Sequence, residues 1–177
     1  MPDYLKLAVA SLDLGSDSEV LDVAAGTGLL FRAVSPRVGR VVALDITPEM
    51  LAEGRAAAGR EGITNIAFEQ GWPKTCRILT PRSTWSSPVS RCIISGAPEV
   101  VLGETIRVCR PKGKVLVADL VSPADEELAT RYNELERLRD GTHSRALSPS
   151  GLEKLVADTG VSVTGCHSVY GEEDLEA

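Results

Sequence analysis

No stretch of this sequence stays apolar for the roughly 18 residues that a membrane-spanning helix needs, and no internal repeat or low-complexity tract interrupts it. The opening Met1-Pro2-Asp3-Tyr4-Leu5-Lys6 lacks the charged-then-apolar order of a secretory signal. The four cysteines, Cys76, Cys92, Cys109 and Cys166, form no C-x-x-C pair. That spacing argues against a structural zinc site, and no other metal is expected. Without an export signal, reduced thiols and a cytoplasmic location are the expectation. Basic residues are in deficit too, with 19 Lys and Arg against 25 Asp and Glu and a net charge of −6. A broad nucleic-acid face needs the opposite balance. Neither nucleic acid nor a membrane is therefore expected as a partner, a local basic groove aside. What remains is 177 residues, 43% hydrophobic and 25% charged, which suits one globular domain over 1–177 with a core that needs no disulfide.

Strand and helix patterns alternate over the first seventy residues. Residues 4–14 space apolar side chains as a short helix does. Glu19 to Ala24 is an apolar run with one embedded acid, which suits a strand buried on both faces. Leu29 to Val34 reads as a helix, and Val41 to Leu44 as a second strand closed by Asp45. Thr47-Pro48 marks a helix start, with Thr as the cap and Pro at the first helical position. An Ala-rich helix over 50–59 and a strand over 66–69 follow. This β-α-β-α-β order predicts a parallel sheet covered by helices. Beyond an irregular stretch at 72–97, the sequence predicts a helix from Pro98 to Cys109 and a strand over 115–121. A charged helix at 124–140, a helix at 148–158 capped by Ser148, and a loosely alternating strand at 161–170 complete it. The expected fold class is α/β: a Rossmann-like, doubly wound, mostly parallel sheet in a three-layer sandwich.

The strongest signal is Val20 to Gly28, V-L-D-V-A-A-G-T-G, a strand that feeds a tight glycine turn and opens a helix. At Gly26 and Gly28 the backbone can approach a ligand closely, since no side chain stands in the way. Asp45 follows 19 residues after Gly26, at the tip of the second strand, where an acid can accept both hydroxyl hydrogens of a ribose. A dinucleotide site wants a third small residue for close helix–strand packing, but the position three after Gly28 is Phe31. Asp22 would also set negative charge beside a phosphate. A phosphate-free cofactor with a positive head group tolerates both features, and S-adenosyl-L-methionine is such a molecule.

Three segments carry a family resemblance: VLDVAAGTG (20–28), VVALDITPEML (41–51) and IRVCRPKGKVLVADL (106–120). They are similar to the glycine motif, the acid-ended second strand and the fourth-helix-to-fifth-strand turn of class I S-adenosylmethionine-dependent methyltransferases. The closest likeness is to the ubiquinone/menaquinone-biosynthesis-like methyltransferase-domain group, and YNELERLRDGTHSRALS (132–148) also resembles a segment of its small members. The resemblance implies that Gly26, Thr27 and Gly28, with Ala24 in the same loop, lie against the methionine part of the cofactor. It implies that Asp22 orients the ammonium, Asp45 holds the ribose, and Ile46 and Met50 pack on the adenine. For Ile46 and Met50, plain core packing is the competing role. The usual antiparallel last strand of that fold is expected to be absent, with the acceptor site open or shared in a homo-oligomer.

Residues 72–97 depart from that family. Trp72-Pro73 stands where an Asp-Ala pair is expected, and Arg82-Ser83-Thr84-Trp85-Ser86-Ser87-Pro88 stands where a central strand begins Phe-Asp-Leu-Val-Val. Proline in a central strand removes a ladder bond. If Arg82 to Ser87 is encoded CGT-TCG-ACC-TGG-TCG-TC, reading two bases later yields Phe-Asp-Leu-Val-Val, so the departure reads as a change of frame. The competing reading is an unusual natural insertion. Read as written, Val89 to Ile94 is the strand-like stretch available to replace the lost central strand.

Methyl transfer needs alignment and water exclusion more than a catalytic dyad, and no dyad is visible. His143, in a Gly-Thr-His-Ser loop, is the best-placed candidate base, with an ordinary loop histidine as the plainer role. His167 reads as structural, Arg145 as a solvated loop charge, and Glu134 and Glu136 as a charged helix face. Two other functions compete with transfer of a methyl group to a small-molecule acceptor. One is a nicotinamide-dependent oxidoreductase, disfavoured by Phe31 and Asp22. The other is a decayed, non-catalytic module of the same fold.

Overall fold

The computed structural model describes residues 3–72, 89–90, 97–141 and 143–169. Helix α1 (Asp3–Ser11) precedes strand β1 (Glu19–Val23), helix α2 (Leu29–Val34), strand β2 (Arg40–Asp45), helix α3 (Pro48–Arg60) and strand β3 (Ile66–Gln70). Strand β4 (Val89–Ser90), helix α4 (Pro98–Val108), strand β5 (Leu116–Val117), helix α5 (Glu126–Arg139) and helix α6 (Pro149–Ala157) follow. The described sheet is wholly parallel, in the order β3-β2-β1-β4-β5. The order reverses between β1 and β4, so the chain is doubly wound in the Rossmann-like manner and has a switch point beside the end of β1.

The apolar strands bury both faces, and their alternation sorts the core into two layers. Val20, Val41 and Ala43 pack with Leu5 and Val9 of α1, with Leu12 just beyond it, and with Leu30, Phe31 and Val34 of α2. Leu21, Val23, Val42 and Leu44 face Val101, Leu102, Val108 and Leu155 of α4 and α6. Adjacent residues of one strand thus serve opposite helical layers, which is why no polar alternation marks them. None of the described helices is long and apolar enough to cross a membrane.

Four details differ from the sequence-based expectation. Helix α1 stops at Ser11, short of residue 14. Strand β5 spans Leu116–Val117 rather than 115–121, level with Val89 and Ser90, the described residues of its neighbour β4. Residues 161–169 form no strand: from Ser162 on they are exposed, so neither burial nor a neighbouring ladder holds them extended. Thr47 does not cap α3 through its side chain; its amide donates instead to Asp45 Oδ1 at 2.9 Å. Ser148 does cap α6, its hydroxyl accepting from Gly151 N at 3.2 Å.

The expected replacement of the central strand holds for Val89–Ser90, which pair with β1 on one side and β5 on the other. The rest of that stretch, 91–94, lies outside the described residues, as does the Trp85-centred departure. Trp72 is described, and it packs against the layer formed by Leu21, Val23 and Leu44.

Candidate functional site

The glycine loop leaves β1 at the switch point, and three backbone positions give it its shape. Ala24, Gly26 and Gly28 have φ of 58°, 56° and 88°. For Ala24, a left-handed conformation costs about 1–2 kcal/mol, while glycine there would lose about 0.5–1 kcal/mol more backbone freedom on folding. Ala24→Gly is therefore expected to stabilise the fold by about 0.5–1 kcal/mol. Urea unfolding measures this, and a lowered midpoint would show that the Ala24 side chain is needed.

The glycines are not equivalent. A Cβ built on Gly26 meets nothing within 4 Å, so its outer side is open. A Cβ on Gly28 would stand 1.7 Å from Cζ of Phe31. Phe31 is fully buried, lies edge-on to Phe68 at 5.4 Å, and reaches to 3.2 Å from a Cβ placed on Gly54. The bulky ring at the position where a dinucleotide fold wants a small residue is thus accommodated by two glycines, one in the loop and one in α3. Gly28 serves the packing of Phe31 as well as the turn, a role the sequence did not announce.

Asp45 closes the loop. Its side chain is 8% exposed. Oδ2 accepts the Gly26 N–H at 2.7 Å and Oδ1 accepts the Thr47 N–H at 2.9 Å. The backbone around it is knotted as well: Ala25 N donates to Leu44 O at 3.1 Å, and Gly71 N to Asp45 O at 2.9 Å. The two motifs separated by 19 residues in sequence are therefore one cluster in space.

Asp22 is buried, 2% exposed, in register with Ala43 and one residue short of the strand end. A carboxylate at that depth is costly unless a compensating group meets it. Ile46 and Met50 are 57% and 43% exposed, which removes the core reading for both. Ile46 follows Asp45 directly in the chain, and Met50 lies in the first turn of α3. Gln70, level with Asp45 on β3, donates from Nε2 to Ile46 O at 3.2 Å. One strand further out, a groove of about 200 Å³ runs between α3 and β3, lined by Pro48, Leu51, Ala52, Arg55, Phe68 and Gln70. Its floor carries the Arg55 guanidinium 4.8 Å from the Phe68 ring centre, so the groove adjoins the Asp45 cluster without covering the glycine loop.

The remaining candidates divide clearly. His143 is half-buried and bonded to Asn133. His167 is exposed and lies in no strand, and Arg145 is exposed. Glu134 is exposed and Glu136 pairs with Arg139 at 3.3 Å, as a charged helix face does. Neither described thiol is poised as a nucleophile. Burial pushes the Cys109 pKa up, and a hydrogen bond with Glu153 followed by desolvation pushes up that of Cys166. Among the described residues no His, Cys, Asp and Glu cluster could hold a metal.

Comparison with known proteins follows the same lines. Residues 14–160 match the family model described as a methyltransferase domain. The chain is 30% identical over 148 residues to the uncharacterized methyltransferase YcgJ of Bacillus subtilis, covering 82% of this chain and 58% of that protein. The YcgJ crystal structure superposes with a TM-score of 0.77 over 87% of this chain and 66% of its own, at 28% identity. An arsenite methyltransferase of Halobacterium salinarum is 32% identical over 59% of this chain and 28% of its own length. The structure of the DhpI–SAM–HEP complex matches with a TM-score of 0.60 at 25% identity, over 89% of this chain and 78% of DhpI. The chain thus spans 58% or less of the length of these two curated relatives.

Proposed function

Because the chain belongs to the methyltransferase-domain family, we propose that it binds S-adenosyl-L-methionine at the carboxyl edge of its sheet and transfers the methyl group to a small-molecule acceptor. The observation that carries this reading is the Gly26–Asp45 hydrogen bond at the switch point. It sets bare backbone, open on its outer side, against a carboxylate. Each Asp45 oxygen accepts one backbone amide and retains a second lone-pair site. A ribose diol donates into two such sites. The residues present therefore fit the cofactor.

Gly26, Thr27 and the backbone of Ala24 and Gly28 would flank its methionine part. The buried Asp22 carboxylate would balance its ammonium. Ile46 and Met50, exposed beside Asp45, would gain cover from an adenine face, which offsets the cost of leaving them in water. When bound, the cofactor supplies an electrophilic methyl on a sulfonium. The chain's own work is to hold and orient it and to exclude water from the reacting pair.

Calorimetric titration of the full chain with S-adenosylhomocysteine tests this reading, with NAD as the counter-ligand. Saturable binding of the first at one site, and none of the second, is the expected result. Preferential NAD binding would favour the oxidoreductase. A folded sample that binds neither would leave the non-catalytic module.

A further inference from the structure

Asn133 lies on α5, outside the glycine loop, and is 6% exposed. Its amide makes four hydrogen bonds. Nδ2 donates to Ala129 O at 2.8 Å and to Ala146 O at 3.3 Å. Oδ1 accepts from Ala146 N at 2.6 Å and lies 2.9 Å from His143 Nε2. The three backbone partners leave the amide one orientation. Reversed, Oδ1 would face two carbonyl oxygens and Nδ2 would face an N–H. The group beside His143 Nε2 is therefore an acceptor, and Nε2 must carry the proton. In a neutral imidazole the other nitrogen, Nδ1, is then the one with the open lone pair. The backbone pair with Ala146 alone would staple the loop to α5. The bond to the imidazole does something further: it selects a tautomer.

The loop that carries His143 returns to the sheet's carboxyl edge. Register places Val117, the last residue of β5, level with Ser90 and Val23, and Val23 is the last strand residue before the glycine loop. Ser122, five residues beyond Val117, donates its N–H to Leu147 O at 2.9 Å. Leu147 packs on the layer that Leu21, Val23, Val42 and Leu44 form with α4 and α6.

The geometry points to Asn133 as a positioning residue that holds His143 as the Nε2–H tautomer, so that Nδ1 receives a hydrogen bond, and then the proton, from an O–H or N–H methyl acceptor. This rests on the methyltransferase reading. As the new C–O or C–N bond forms, the C–S bond breaks with its electron pair left on sulfur, and the acceptor's proton passes to Nδ1. An acceptor with no such proton has no use for this arrangement.

Ring-nitrogen NMR of the full-length protein at about pH 8, above the ordinary imidazole pKa of about 6.5, tests it directly, since the chain has two histidines. His143 is expected to show one tautomer, protonated at Nε2, while the exposed His167 shows a mixture. In Asn133→Ala, His143 should move to the same mixture. An Nδ1–H form or a mixture in the wild type overturns the positioning role, whether or not the variant folds. With S-adenosylhomocysteine present, titration with phenol should shift the His143 Nδ1 resonance, and titration with anisole, which lacks the O–H, should not. Equal shifts, or none from either, overturn the acceptor class. Calorimetry on the same samples keeps the two ideas apart. Failure to bind S-adenosylhomocysteine sinks the methyltransferase reading and leaves the tautomer result standing.

Discussion

Asp45→Ala is expected to abolish S-adenosylhomocysteine binding and to loosen the glycine loop at the same time. The carboxylate holds two backbone amides, at 2.7 and 2.9 Å, in a site 8% exposed. Hydrogen bonds to a charged group contribute about 1.5–3 kcal/mol each, and an abandoned buried donor costs more than a bond never made. Some of the loss is recovered by water at the open side of Gly26, so the variant should lose about 2–4 kcal/mol of stability. Urea unfolding measures that loss and calorimetry the binding. Asp45→Asn separates the two effects. Its single carbonyl oxygen can keep one of the two amides, so stability should fall by less, while the second acceptor for a ribose diol is gone. If Asp45→Ala bound S-adenosylhomocysteine within threefold of the wild type, neither the loop latch nor the ribose role would survive.

Gly28→Ala should be as damaging to the fold as Asp45→Ala is to the site. Its Cβ would overlap the Phe31 ring, with Cζ, Cε1 and Cε2 at 1.7, 2.1 and 2.4 Å. The residue also sits at φ 88°, where a side chain adds about 1–2 kcal/mol. Phe31 has little room to retreat, being fully buried against Phe68 and close to Gly54. Overpacking of this kind adds about 1–3 kcal/mol, for a total of about 2–5 kcal/mol. Gly26→Ala provides the contrast. With nothing within 4 Å of its Cβ, it should cost only the backbone term of about 1–2 kcal/mol, yet it should lose ligand binding because the new methyl occupies the open side. Adding Phe31→Leu to Gly28→Ala should recover part of the loss, a coupling of at least about 1 kcal/mol in a double-mutant cycle. A Gly28→Ala melt indistinguishable from wild type would mean that the Phe31 ring does not fill the space beside Gly28.

Much of this was legible in the residues. The helix–strand order to residue 70, the parallel sheet and the pairing of a glycine turn with an acid at the next strand tip all follow from local pattern. Such patterns report which faces must be buried and where the backbone must bend, and those demands are met within a few residues of chain. The readings that missed share a different cause. A strand over 161–170 was expected from loose alternation, but alternation does not create a neighbour, and exposed residues gain nothing by staying extended. Thr47 was a sound cap on composition, but its hydroxyl makes no cap bond; its own amide is engaged by Asp45, two residues back.

What one-dimensional pattern specified, then, was the fold class and two features that come together in space: a turn at Gly26 to Gly28 and a carboxylate at Asp45. Three-dimensional packing assigned the tasks. It gave Gly28 to the Phe31 ring, tied Asp45 to the loop it faces, put Val89–Ser90 in the middle of the sheet, and turned a loop histidine into one with a chosen tautomer. The physical reason is range. Periodicity and turn chemistry act over three or four residues, whereas each of those tasks depends on a partner brought alongside by the rest of the chain.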